Sequence, residues 1–312
     1  MRDIVAKQIS LRTAKGIGVI ICQPETIELI KTDSLPKGDL FNTARAAGFL
    51  AAKNTHNLIP LCHPVGIEAF KIKFDYIEPS NLIEGLEQFE GKYGVVILAE
   101  GKSIGRTGIE IEVLTSVSIT ALTIYDLLKP VDKTIEITNI KLLDKKGGKS
   151  DREQFYKGKH ITAAVLTCSD AIHAELIKDE AGIVAQEKLQ KFGVVMADYK
   201  IVPDSVEMIQ HWVREWVSQG IDFIFTTGGT GLTAKDVTIE AIQTLLEKET
   251  PAVTETMRAH RNMRSPYTST SRGIAGTVGK STVITLPGSV EGVSNSLDGI
   301  LPAVFHNKER LM

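Results

Sequence analysis

KKGGKSDREQFYKGK, residues 145–159, holds three glycines, a dense set of charges and only two large apolar side chains, Phe155 and Tyr156. Such a stretch buries too little surface to pack, so it reads as an exposed connector between folded units. It divides the chain into a domain over 1–148, a linker over 149–158 and a domain over 159–312. With 312 residues, each side is long enough to build its own core.

Composition narrows the functional classes. Apolar residues at 43% and charged residues at 24% make an ordinary globular mixture. The balance of 36 Lys and Arg against 38 Asp and Glu leaves no basic stripe for nucleic acid. Apolar runs such as Val95–Ala99 are strand-sized and too short to cross a bilayer, so no membrane partner is expected. Cys22, Cys62 and Cys168 lack CxxC spacing, and no signal-like run follows Met1, which together point to a reduced, cytoplasmic protein.

Before the connector, apolar residues over 17–22 predict a strand and the stretch from Lys37 to Lys53 a helix. Alternation from Val65 to Tyr76 predicts a half-buried strand, and 93–100 another. Helical spacing of Val113, Val117, Ala121, Ile124 and Leu128 predicts a helix over 110–129 that Pro130 stops, followed by a strand from Ile135 to Leu142. Strands and helices mixed without strict alternation indicate an α+β sandwich, one sheet backed by helices. Polar residues interrupt the pattern at three places. Asp126 and Lys129, three apart, suit a coupled acid and base and equally a surface ion pair. His63, between Cys62 and Pro64 in a rigid turn, suits a catalyst or a hydrogen-bonded turn residue. Gly105–Gly108 opening a helix suits a phosphate seat or a hairpin turn.

KGDLFNTARAAG (37–48), LIPLCHP (58–64), GRTGIEIEVLTSVSITALTIYD (105–126) and KLLDKKGGKS (141–150), in that order, resemble the signature blocks of cyclic pyranopterin monophosphate synthases. The resemblance implies a ferredoxin-like α+β protomer in a hexamer, with active sites at a dimer interface. It implies conversion of a cyclised GTP derivative to a cyclic phosphate with loss of pyrophosphate and no redox cofactor. Lys37, His63, Glu110, Asp126, Lys129 and Lys145 stand at that family's active-site positions, with Arg12, Arg106, Lys53 and Cys62 as candidate substrate contacts. Pro130 departs from the family, which continues with a small residue there.

Beyond the connector, strand and helix alternate: strands over 161–167, 194–202, 222–226 and 282–286, helices over 180–192, 205–218, 238–249 and from Ser289, with a basic region at 258–264. This predicts a three-layer α/β fold with a doubly wound, mostly parallel sheet. Ser169-Asp170, Pro203-Asp204, TTGGTG (226–231) and Pro287-Gly288-Ser289 each follow a predicted strand. Ligands bind at those carboxyl ends in open α/β sheets, so the four turns converge on one crevice. Glycines there let amides approach an anion, and Asp204 with Asp236 could hold a divalent ion. GKS at 279–281 and 148–150 lacks the earlier glycine of a P-loop, Ile274 and Leu143 standing in its place.

TTGGTGLTAKD (226–236), with Pro203-Asp204, Ser271-Arg272, Gly276 and Leu286-Pro287-Gly288, resembles the molybdopterin adenylyltransferase family. The resemblance implies transfer of AMP from ATP to molybdopterin with Mg²⁺. Asp204 and Asp236, the candidate metal-holding pair, match the family's two functional aspartates; Gly228, Gly229, Thr230, Gly231, Gly288 and Ser289 match nucleotide and phosphate contacts; Ser169, Asp170 and Ser271 are candidate substrate contacts. Ala171 and Lys235 stand where the family has arginine and Ile239 where it has proline. The expectation is a bifunctional enzyme with pterin and nucleotide substrates, a homo-oligomer with hexameric or trimeric contacts. The rival is a lyase joined to a pterin-binding or partner-binding module.

Overall fold

Alternation along SLRTAKGIGVIIC builds strand β1 (Ser10–Cys22), the spine of the first unit. One face of β1 places Ala14, Ile20 and Cys22 in the main core, and the other places Ile17 and Val19 in a smaller one. Helices α1 (Pro24–Lys31), α2 (Leu40–Lys53) and the single turn α3 (Thr55–Leu58) follow, then β2 (Ala69–Ile77), β3 (Tyr93–Gly105), α4 (Glu110–Leu128) and β4 (Glu136–Lys146). The sheet is antiparallel with order β2-β3-β1-β4. The computed structural model describes residues 1–79, 81, 85–148, 151, 156 and 159–311. It divides into two units, Met1–Asp151 and Arg152–Met312. Most of the connector assigned to 149–158 lies outside the described residues, Asp151 and Tyr156 excepted.

Helix α4 is apolar and long enough to cross a membrane by length and composition, unlike the strand-sized apolar runs expected to be the longest. Its apolar residues instead pack on the sheet, with Val113, Val117, Ala121, Ile124 and Leu128 all fully buried. Helix α2 crosses α4 closely at Gly48, where a Cβ would fall 2.2 Å from Thr120 Oγ1 and 2.6 Å from Ile72 Cδ1. Overpacking of this kind costs about 1–3 kcal/mol. Gly48→Val is therefore expected to lower the urea midpoint of the first unit at unchanged m-value; an unchanged midpoint would mean that the helices can part without loss.

The second unit alternates as expected through β5 (Thr162–Cys168), α5 (Asp170–His173), α6 (Glu180–Gln190), β6 (Val195–Val202), α7 (Val206–Ser218), β7 (Phe223–Thr227) and α8 (Thr238–Gln243). Then come β8 (Lys248–Glu249), α9 (Pro251–Asn262), β9 (Ala275–Val278), β10 (Ser281–Leu286), α10 (Val290–Ile300) and α11 (His306–Leu311). The sheet order is β6-β5-β7-β10-β9-β8, with β6, β5, β7 and β10 parallel and β9 antiparallel to β10. Phe223, Phe225 and Ile284 face α6, α9 and α10, while Ile224 and Val283 face α7 and α8, which makes three layers. Because β5 is flanked by β6 on one side and β7 on the other, the chain reverses direction across the sheet there. That switch point opens a crevice at the carboxyl ends of the parallel strands.

Several expected elements are corrected. The helix expected over 238–249 ends at Gln243, because Lys248 and Glu249 pair with β9 as an edge strand. The basic region at 258–264 is largely the second half of helix α9, whose start at Pro251 uses a proline where no amide partner is needed. Helix α1 and strand β9 were not anticipated, being short and without strong periodicity. The strand expected from Val65 begins at Ala69, and β1 begins at Ser10 instead of Ile17.

Candidate active sites

In the first unit the family-matched residues gather at the two ends of α4. At its carboxyl end Asp126 accepts hydrogen bonds from Lys129 Nζ at 2.6 Å and Lys37 Nζ at 3.2 Å, and its carbonyl also takes Lys37 at 3.0 Å. The two ammonium groups, Lys129 first, hold the Asp126 carboxyl below its ordinary range, and Asp126 in turn pushes Lys129 up. Of the two readings that spacing allowed, the geometry is that of an ion pair, extended to a third residue. At the amino end Glu110 pairs with Lys145 at 3.1 Å, and Arg12 donates to the carbonyls of Gly105 (3.2 Å) and Arg106 (3.3 Å). Here a cavity of about 310 Å³ is lined, among the described residues, by the cations Arg2, Lys7, Arg12, Arg106, Lys145 and Lys146 and the acids Glu110 and Asp151. Six cations facing two carboxylates make a seat for a polyanion. The Gly105–Gly108 loop forms part of this wall and is no hairpin turn. His63 belongs to this end, its Nε2 within 2.8 Å of the Arg2 carbonyl. Lys53, the last residue of α2, is exposed and forms no ion pair among the described residues.

Asp126 lies sixteen residues beyond Glu110 on the same helix, about 24 Å at 1.5 Å per residue. One chain therefore keeps the two groups apart.

Sequence reading passed over Glu112. It is 2% exposed, its Oε1 accepts from Cys62 Sγ at 3.7 Å, and its Oε2 has no hydrogen-bond partner among the described residues. Burial pushes the Glu112 carboxyl up, and burial followed by the charge of Glu112 pushes the Cys62 thiol up. The available signal was a polar row at helical spacing, Glu112, Ser116 and Thr120, inside the apolar face; all three are buried. Because the folded state keeps a proton that the unfolded chain releases, this residue makes stability fall as pH rises from the unfolded carboxylate pKa. Glu112→Gln should flatten the fall of the urea midpoint as pH rises above the ordinary carboxylate range. A variant with the parent's slope would show that the carboxylate is solvated.

In the second unit the turns after β5, β7 and β10 converge. Asp170 and Asp204 are locked reciprocally, each backbone amide donating to the other's carboxylate at 3.1 Å. Asp204 Oδ1 is buried without a partner among the described residues, and lies 2.8 Å from the position a Cβ would take on Gly229. Burial, with the charges of Asp170 and Asp236 behind it, pushes the Asp204 carboxyl up. Asp236 is the opposite case. Its oxygens accept from Thr233 Oγ1 (2.6 Å), Thr233 N (2.8 Å) and Gly231 N (2.9 Å), and these donors, the hydroxyl first, hold its pKa down. Gly228 and Gly229 both take positive φ, and a Cβ on Gly228 would meet the Cys168 carbonyl. Gly288 passes 3.2 Å from Gly228 when given a Cβ, so the two turns touch through bare backbone. Thr230 is buried beside them, Ser289 caps α10 through Gly292 N, and Ser169 caps α5 through Ile172 N. Ser271 accepts from Arg261, and Arg272 clasps the loop through the carbonyls of Gly231 and Asp236.

Residues 1–148 match the MoaC family and residues 164–306 match the probable molybdopterin binding domain. The molybdenum cofactor biosynthesis bifunctional protein of Chlorobaculum tepidum is 37% identical over 306 residues, covering 98% of this chain and 92% of its own. That of Synechococcus elongatus is 34% identical over 319 residues, covering 98% and 96%. The chain belongs to the bifunctional molybdenum cofactor biosynthesis proteins. Cyclic pyranopterin monophosphate synthase 1 of Mycobacterium tuberculosis is 43% identical over 150 residues, 48% of this chain and 81% of that protein. In this bifunctional protein the departures at Pro130 and Lys235 have different consequences. Lys129 still reaches Asp126 despite Pro130. Lys235 is 81% exposed and stands 3.8 Å from Asp170, a looser contact than a bidentate guanidinium makes.

Proposed function

We propose that the first unit rearranges a cyclised GTP derivative into cyclic pyranopterin monophosphate with release of pyrophosphate, and that the second transfers AMP from ATP to molybdopterin. The observation behind the first activity is the six-cation cavity, which suits a triphosphate. The connection order βαββαβ with sheet order β4-β1-β3-β2 supports reading the first unit as a ferredoxin-like protomer. Since Lys37, Asp126 and Lys129 lie a helix length from that cavity, the site is completed by a second copy of the chain. Lys37 and Lys129 then act as fixed charges on the substrate, while Glu112, held nearer to neutrality by burial, is better suited than Asp126 to carry a proton.

Adenylyl transfer rests on the convergence of Asp204, Asp236 and the glycine loop at the switch point. The loop amides seat phosphate oxygens and Arg272 holds the loop in shape. Among the described residues no group of three or more His, Cys, Asp or Glu could hold a metal alone. Two carboxylates, one with an unpartnered oxygen, nevertheless fit Mg²⁺ that arrives with ATP and takes its other ligands from phosphate and water. When bound it neutralises phosphate charge. Both reactions belong in the cytoplasm, where Cys22, Cys62 and Cys168 stay as the free thiols they are. Incubating the protein with molybdopterin and Mg-ATP should yield pyrophosphate and an adenylylated pterin. Bound but unmodified pterin would instead favour a binding module.

A further inference from the structure

Beside the crevice of the second unit lies a second group of cations. Arg258 and Arg261, on α9, line a small cavity with Thr254, Ser271, Pro287 and Ser296. Its volume is about 10 Å³, room for one water-sized atom. Both guanidinium groups are half-buried, and neither forms an ion pair among the described residues. Arg261 donates to Ser271 Oγ at 3.1 Å, and Arg258 reaches only Thr254 Oγ1 at 3.4 Å. Neighbouring Arg272 differs, being committed to Glu240 at 2.5 Å and to two loop carbonyls. Burial lowers the pKa of Arg261, with only the charge of Glu291 opposing it. Ser296 is fully buried and its Oγ, lining the same cavity, has no hydrogen-bond partner among the described residues.

Half-buried cations with no ion-pair partner among the described residues, Glu291 acting on Arg261 only at a distance, and a buried hydroxyl without a partner there are both costly. One ligand relieves both. A tetrahedral oxyanion at the mouth of the cavity can insert a single oxygen, about the size of a water, toward Ser296 while two others meet the arginines. We propose that this cavity seats the phosphomonoester of the pterin acceptor, separately from the glycine loop that seats the nucleotide. The inference rests on the adenylyl-transfer reading. In that reaction an oxygen of the acceptor phosphate attacks the α-phosphorus of ATP, the bond from that phosphorus to the β-bridging oxygen breaks, and pyrophosphate leaves with its electron pair. Two anions must therefore approach one another, and the acceptor needs cations of its own. Pro287 lines the cavity and starts the Pro287–Ser289 turn, so the two seats are adjacent without overlapping.

The test measures equilibrium binding of molybdopterin, of its dephosphorylated form and of Mg-ATP to the full chain. In Arg258→Gln/Arg261→Gln, molybdopterin should bind about 10–100-fold more weakly, as for lost charge-assisted hydrogen bonds. The dephosphorylated pterin and Mg-ATP should bind as before. Ser296→Val, which removes the hydroxyl and leaves both arginines, should weaken only the phosphorylated pterin. Equal weakening of both pterins, equal loss of Mg-ATP, or unchanged molybdopterin affinity in these variants overturns the seat. Phosphate-dependent pterin binding with no adenylylated product would remove the transferase reading and keep the seat. Adenylylation by the double variant at unchanged KM for molybdopterin would do the reverse.

Discussion

Co-expressed Asp126→Ala and Lys145→Ala chains are expected to recover about a quarter of the parental pyranopterin synthesis, although each variant alone loses about 100-fold or more. Asp126 lies at one end of α4 and Lys145 pairs with Glu110 at the other, so on the proposed reading no single chain offers both to one substrate. In an assembly where one copy's Asp126 end meets another copy's Lys145 end, each variant alone spoils every site. Random mixing at equal expression leaves a site intact when the first end comes from the Lys145→Ala chain and the second from the Asp126→Ala chain. Each condition holds half the time. Both side chains are largely exposed, at 56% and 57%, and their ion pairs contribute little to folding, so lost activity will not reflect lost structure. Activity in the mixture no greater than in either variant alone would show that each chain works by itself.

Asp204→Asn should abolish adenylyl transfer by about 100–1,000-fold and leave pyranopterin synthesis at the parental level. Asparagine keeps an acceptor for the Asp170 amide, so the lock between the two turns survives. What is lost is the negative charge on an oxygen that is buried, without a partner among the described residues, and set against Gly229 of the glycine loop. The measurement is adenylylated pterin formed per minute under saturating Mg-ATP, beside pyranopterin formed from the cyclised GTP derivative. Equal loss of both activities would point to global disruption, and unchanged adenylylation would remove Asp204 from the site.

The alternating half of the chain was readable because three of its parallel strands, β5, β7 and β10, are short apolar runs closed by glycine or a capping residue. Ser205 and Ser289 cap the helices they were expected to begin. Where local signals are weak the reading failed. Leu245 and Leu246 continue the apolar pattern of α8, yet the next residues turn to pair with β9, a contact that only tertiary structure specifies. The TTGGTG loop and Asp236 fall together because five residues of one loop suffice to join Asp236 to Gly231. Lys37 and Asp126 meet across 89 residues, and their distance from Lys145 depends on the direction of a helix that periodicity alone cannot orient against its neighbours. Glu112 was missed because a carboxylate in the first turn of a helix ordinarily faces solvent and favours the positive end of the helix dipole. Only its burial in the folded unit and its contact with Cys62 show it to be enclosed.

The enclosed charge at Asp204 also bears on how this protein would respond to selection for heat resistance. A carboxylate crowded by two like neighbours, with one oxygen buried, strains the native state, and catalytic centres commonly carry such a liability. Directed evolution for survival at elevated temperature, without a demand for product, would enrich asparagine at this position early. The hardier descendants would keep the shape of the crevice and stop making adenylylated pterin.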